Sequence, residues 1–138
     1  MNLLSKIFIF LIFILSLQNV YAEVFEVENV KLQNLINEGV PIIDIRREEE
    51  WVSTGVIKNS KLLTFFDKDG NYNIKKWMKG VEKIVHLDKP FILICRTGRR
   101  TNIIANYLSK EMKYKYVYDA KGGIKSWLAS GKQTVNPK

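Results

Sequence analysis

The chain has 138 residues, 46% of them hydrophobic and 26% charged, with a formal net charge of +8; this fits one small globular domain and excludes a disordered or multi-core chain. A single cysteine, Cys95, rules out an internal disulfide as the staple of the fold. The lysines are scattered among carboxylates with no basic run interleaved with aromatics, so the excess charge predicts no nucleic-acid partner but a solvated basic surface that favours small anions.

In chain order, Met1 to Lys6 carries one positive charge, Ile7 to Leu17 is almost wholly apolar, and Val20-Tyr21-Ala22 supplies small residues where a signal peptidase reads. The apolar core is shorter than the about 20 residues that span a bilayer. Residues 1–22 are therefore expected to be a cleaved signal peptide and 23–138 the domain, periplasmic or secreted, with no stable membrane span after cleavage; the alternative is an uncleaved anchor. Val24 to Val27 alternates apolar and acidic residues as an edge strand does. Asn29 is a candidate N-cap for a helix with Val30, Leu32, Leu35 and Ile36 at helical spacing, stopped by Gly39. Pro41 to Ile45 reads as a buried strand, Glu48 to Ser53 as a helical turn closed by Gly55, and Lys61 to Phe66 as another strand.

The polar stretch from Asp67 to Asn73 resembles a calcium loop only superficially. Its sixth position is Tyr72 rather than glycine and its twelfth is Met78 rather than glutamate, so it is expected to be a turn, and no metal site is assigned. A helix over about Ile74 to Val85 follows, then Phe91-Ile92-Leu93-Ile94, apolar on both faces as a central parallel strand is. Thr101 to Met112 is predicted to be a helix, Tyr116 to Tyr118 the last strand, and Gly122-Gly123 the start of a helix carrying Trp127 and Leu128 and ending at Gly131. Strands alternating with helices imply an α/β domain: a mostly parallel central sheet of about five strands, flanked by helices on both faces.

Ligands of such sheets bind beyond the carboxyl ends of the strands, which is where Cys95 falls. The next helix directs its free N–H groups and positive dipole end at the loop. Backbone amides of a glycine-containing loop can converge into an anion nest. Arg96, Arg99 and Arg100 add permanent positive charge. All three favour thiolate over thiol, and comparable settings lower a cysteine pKa from about 8.5 to between about 3.5 and 7.5. No histidine base is required, and the only histidine, His86, reads as a surface or capping residue.

The loop Cys95-Arg96-Thr97-Gly98-Arg99-Arg100-Thr101 after an apolar strand resembles the active-site loop of rhodanese-type sulfurtransferases. Asp44-Ile45-Arg46 with Glu50-Trp51 and Gly55-Val56-Ile57 is similar to that family's first signature. Tyr118-Asp119 with Gly122-Gly123, Trp127 and Gly131 is similar to its last, so the likeness runs from about Val24 to Lys132. The chain departs where the family usually has histidine (Val56) and glycine-alanine (Asn59-Ser60). The resemblance implies transfer of sulfane sulfur from thiosulfate or a related small anion, without a cofactor, to cyanide in vitro or to a thiol or protein acceptor, through a persulfide on Cys95. It implies that amides from Arg96 through Thr97 and Gly98 to Arg100 stabilise the persulfide. Arg96 and Arg100 would hold the donor, Thr97, Gly98 and Thr101 would be substrate-binding residues of the same loop, and Arg99, counted with them, would be a rim charge. Asp44 and Arg46 would support the loop, and Phe65, Phe66 and Trp127 are candidates for the pocket wall.

Two alternatives share the activated cysteine. A cysteine phosphatase or arsenate reductase places five residues between cysteine and arginine; here four separate Cys95 from Arg100, and Thr101 stands at the rival's arginine. A persulfide carrier that loads without turning over is the other.

Overall fold

The computed structural model describes residues 22–137, so the expected signal peptide lies, but for Ala22, outside the described residues. Ten elements follow in order: β1 Glu23–Val27, α1 Asn29–Asn37, β2 Ile42–Asp44, α2 Glu48–Thr54, β3 Lys61–Leu62, α3 Ile74–Ile84, β4 Phe91–Ile94, α4 Arg99–Lys110, β5 Tyr116–Ala120 and α5 Gly123–Ala129. The strands form one sheet in the order β1-β5-β4-β2-β3, and every pairing is parallel.

The sheet order follows from apolarity. The four residues of β4 are apolar and fully buried, which suits the centre, whereas β1 and β3 keep exposed residues at the edges. Side chains alternate between two cores. Ile43, Leu93 and Val117 face α3 and α4 through Trp77, Val81, Ile104 and Leu108. Ile42, Ile92 and Ile94 face α1 and α5 through Leu32, Leu35, Ile124 and Trp127. Fully burying each such side chain contributes about 1.5–3 kcal/mol, so the two faces hold β4 rigid and fix where its last residue delivers the chain. That residue precedes Cys95.

Four expectations need correction. The cap of α1 is Glu28, not Asn29; the Asn29 amide instead donates to the Ser126 carbonyl and hydroxyl at 3.0 and 3.1 Å, tying α1 to α5. The third strand stops at Leu62 rather than Phe66. Thr64 turns its hydroxyl to the Arg46 carbonyl at 2.8 Å while the Phe65 N–H still reaches the Ile45 carbonyl at 3.1 Å. The last strand runs on to Ala120, because Asp119 and Ala120 continue the register with Glu26 and Val27. The helix after the cysteine begins at Arg99, two residues before Thr101, with Gly98 as its cap at φ 90°. At the family's usual glycine, Asn59 holds φ 68°, a left-handed conformation asparagine tolerates. Among the described residues no helix is long and apolar enough to cross a membrane.

Candidate active site

Cys95 leaves the end of β4 and is fully buried. Its Sγ accepts the Gly98 N–H at 3.2 Å and lies 3.5 Å from the Thr101 hydroxyl, which also reaches the Gly98 carbonyl at 3.2 Å. Gly98 is required at this corner, since only a left-handed residue turns its amide back onto the sulfur while starting α4. The early start of α4 puts Arg99 and Arg100 in its first turn, where cations oppose the helix dipole by about 0.3–1 kcal/mol each. A local rule is broken beside Cys95, as happens where a site rather than a fold sets the residue.

From the other side, α5 clamps the loop. The Ile124 N–H donates to the Cys95 carbonyl at 2.9 Å and the Lys125 N–H to the Arg96 carbonyl at 3.1 Å. With these carbonyls turned to α5, the Gly98 amide is the one backbone N–H among the described residues that reaches the sulfur, rather than the run of amides from Arg96 to Arg100. The approach is so close that a Cβ on Gly123 would stand 2.4 Å from the Cys95 carbonyl oxygen.

Asp44 and Arg46 form a fully buried ion pair at 2.7 Å. Their reach is toward α2 rather than the cysteine loop. The Arg46 guanidinium donates to the Thr54 hydroxyl at 2.7 Å and to the Gly55 and Glu50 carbonyls at 2.9 and 3.3 Å. From α2, the Glu50 carboxylate grips Arg100 with two bonds of 2.9 and 2.6 Å and accepts the Arg47 N–H at 3.1 Å. Burial pushes the Glu50 carboxyl up, but the Arg100 fork and the Arg47 N–H outweigh it and hold it at about 2. The same bonds, outweighing burial, raise the Arg100 guanidinium, and the neighbouring Cys95 adds to the effect. Asp44 and Arg46 thus brace the helix that positions Glu50, and Glu50 positions Arg100.

Above the loop opens a cavity of about 500 Å³, rimmed by Arg47, Arg96, Arg99, Arg100 and Lys125 and containing one carboxylate, Glu50. Five cations against one anion make the mouth strongly attractive to small anions. Thr97, Phe66 and Ile103 complete its wall. Cys95 itself is buried and is not among the lining residues. Among the described residues Arg96, Arg99 and Lys125 make no ion pair, whereas Arg100 and Arg47 are engaged, so the free charge sits on those three. Trp127 is not in this wall: it is buried on the opposite face of the sheet, donating to the Gln133 carbonyl at 3.0 Å.

The sequence reading missed Glu50 as a site residue, although an acid three residues into a helix after two arginines is a capping signal. It also missed Asp119, buried on β5, with one carboxylate oxygen lacking a partner. Burial raises its carboxyl, offset in part by the Thr101 hydroxyl, raised further by Glu26, and offset again by the Asn102 side chain. Among the described residues no cluster of three His, Cys, Asp or Glu is placed to hold a metal.

Compared with known proteins, the chain matches the rhodanese-like domain family over residues 28–130. No curated protein matches it. Among solved structures it is similar to a rhodanese-related protein from Thermoplasma volcanium (TM-score 0.61, 23% identity, covering 82% of this chain and 99% of that one). It is also similar to the polysulfide-sulfur transferase homodimer of Wolinella succinogenes (TM-score 0.63, 21% identity, 93% and 90% covered). A third is a Rhodopseudomonas palustris protein described as a possible tyrosine phosphatase (TM-score 0.58, 23% identity, 81% and 85% covered). At these identities the structural likenesses bear on the fold alone.

Proposed function

This chain belongs to the rhodanese-like domain family, and on that premise we propose that it is a sulfurtransferase that carries sulfur as a persulfide on Cys95. The observation that carries this reading is the setting of the sulfur: one thiol at the tip of a buried strand, with the Gly98 amide on it and a five-cation mouth above. The name of the Wolinella relative, a polysulfide-sulfur transferase, supports the same chemistry.

The reaction runs in two displacements. The Cys95 thiolate attacks the outer sulfur of thiosulfate; a new sulfur–sulfur bond forms, the old one breaks, and sulfite leaves with the electron pair. An incoming nucleophile, cyanide in vitro or an acceptor thiol, then takes the outer sulfur and returns the pair to Cys95. The Gly98 amide and the α4 N-terminus steady the anionic sulfur in both states. Because Sγ is fully buried at rest, the donor has to be admitted. Its own oxygens compete with Glu50 for Arg100, so binding frees the Arg100 fork, while Arg96 holds the charge that remains and Arg99 stays at the rim.

Thr101 counts against the phosphatase reading. It packs its hydroxyl on Sγ at the position where that chemistry needs an arginine fork. A thiosulfate-to-cyanide assay beside a phosphatase assay on one preparation decides the matter: thiocyanate production abolished in Cys95→Ser supports sulfur transfer, and phosphate release refutes it. Stoichiometric loading without turnover assigns the chain as a carrier. We extend the proposal to export, on the pattern of residues 1–22; a mature N-terminus other than Glu23, or retention in the cytoplasm, contradicts it.

A further inference from the structure

Asp119 is a buried acid that the two displacements do not use. It is 1% exposed, its Oδ1 has no partner, and among the described residues no lysine or arginine pairs with it. A carboxylate so placed destabilises the fold unless a proton neutralises it. The sheet sets it near Cys95. Leu93 on β4 is its register partner, and Leu93, Cys95 and Val117 share the core on the α4 side. Asp119 stands two residues beyond Val117 and so presents its side chain to that same face. Thr101 of α4 lies between the two acids. Its buried hydroxyl is 3.5 Å from Sγ; burial pushes the Asp119 carboxyl up, and the same hydroxyl is close enough to lower it in part. One hydroxyl hydrogen therefore has three claimants: Sγ, the Asp119 carboxylate and the Gly98 carbonyl at 3.2 Å. No other charge decides between them. Glu26, the register partner on β1, pushes the Asp119 carboxyl up further and is itself 3.7 Å from Lys121. On α4, Asn102 is neutral, Arg100 is held by Glu50 and Arg99 lines the mouth.

We propose that Cys95 and Asp119 hold one proton between them, exchanged through the Thr101 hydroxyl, and that the reactive form is the thiolate beside a neutral Asp119. In that form Asp119 donates to Thr101 Oγ1 and the Thr101 hydroxyl donates to the sulfur, a second donor besides the Gly98 amide. The step is a double proton shift. The Sγ–H proton bonds to Thr101 Oγ1, the Thr101 proton bonds to the Asp119 carboxylate, and the S–H electron pair stays on sulfur. With Asp119 ionised, the Thr101 hydrogen turns to the carboxylate, so the sulfur loses a donor and faces an anion. An apolar setting can keep a carboxyl neutral so that it donates toward an anion. Asp119 is thus a positioning residue that acts through Thr101. The proposal deepens the persulfide reading above, on which its kinetic arm rests.

Two readouts across about pH 5 to 10 test it: ultraviolet thiolate absorbance with Cys95→Ser as the blank, and kcat/KM for thiosulfate, which reports ionisations of the free enzyme. The wild type is expected to form thiolate in two steps, as coupled acids do. Its kcat/KM is expected to decline on the alkaline side toward about 100-fold, the scale of one donor lost to a developing anion. Asp119→Asn keeps a donor to Thr101 but cannot ionise, so one thiolate step and no alkaline decline are expected. Asp119→Ala is expected to lack the decline as well, with a plateau about five- to tenfold lower, the scale of one hydrogen bond; it tests the same limb should Asp119→Asn not fold. Thr101→Val is expected to lose about 100-fold at the optimum and Thr101→Ser to regain most of it. A single thiolate step in the wild type, an alkaline decline that persists in Asp119→Asn, or a wild-type rate in Thr101→Val overturns the proposal. If thiosulfate places no sulfur on Cys95, the sulfur-transfer reading fails and the absorbance arm decides alone: two steps reduced to one in Asp119→Asn support the shared proton, and one step in both overturns it.

Discussion

Replacing Gly123 by alanine tests whether α5 presses on the cysteine loop as closely as the structure has it. Two costs arise. Gly123 has φ +59°, and an L side chain in that left-handed region costs about 1–2 kcal/mol. The added Cβ also meets the Cys95 carbonyl oxygen at 2.4 Å and the Arg96 carbonyl carbon and oxygen at 2.7 Å, all backbone atoms, so the loop itself must move by about 0.6 Å to restore 3.0 Å. Overpacking of this kind costs about 1–3 kcal/mol, giving about 2–5 kcal/mol in all. Gly39→Ala is the control, because Gly39 has φ +83° with nothing within 4 Å of the added Cβ and carries the first cost alone. At about 4 °C per kcal/mol for a domain of this size, thermal unfolding followed by circular dichroism is expected to place Gly123→Ala about 4–12 °C below Gly39→Ala. Sulfur transfer in Gly123→Ala is expected to fall toward about 100-fold, the scale set by misplacing a reacting atom by about 1 Å. Equal melting temperatures and equal turnover in the two variants refute the clamp.

Arg100→Ala is expected to lower kcat/KM for thiosulfate by about 100-fold, as loss of a charge-stabilising donor does, and Arg99→Ala by less than about fivefold, as for an exposed charge; equal losses in steady-state assays contradict the roles assigned to the two. Glu50 titrates at about 2 in the folded chain against 4.5 unpaired. Its depressed value stabilises the fold fully above pH 4.5, and that stabilisation is lost as pH falls through 2. Acid unfolding of Glu50→Gln is therefore expected to differ from wild type by about 1 kcal/mol or less above pH 4.5, as for a partly exposed pair, with the gap closing on acidification; a gap that widens on acidification contradicts the pair. Asp119 has the opposite sign. Burial raises its folded value above 3.8, so its penalty is absent below pH 3.8 and grows as pH rises from there to the folded value. Asp119→Asn is expected to melt above wild type at neutral pH and level with it in acid, and a neutral-pH loss refutes the reading.

Much of the fold was legible because one physical quantity, apolarity on both faces, marks Phe91 to Ile94 as central, and because alternation marks Val24 to Val27 as an edge. Element ends were less legible where tertiary bonds outvote local signals. Asn29 has the chemistry of a cap but spends its amide on Ser126 across 97 positions of sequence, which no local pattern encodes. The start of α4 was misplaced because two arginines at a helix N-terminus run against the dipole rule, and that conflict was itself a mark of the site. The cysteine loop could be found from its own residues. Glu50 could not, because its partner Arg100 lies 50 residues away, on a helix that no local pattern brings beside α2. Trp127, a candidate for the pocket wall whose position the sequence does not fix, is put by the sheet on the far face.

Intact-mass spectrometry after thiosulfate treatment, under non-reducing conditions, reads the sulfur on Cys95 directly. One added sulfur atom on the wild-type chain, removed by cyanide and absent from Cys95→Ser, is the expected result. An unchanged mass in the wild type, or the same addition in Cys95→Ser, contradicts the account.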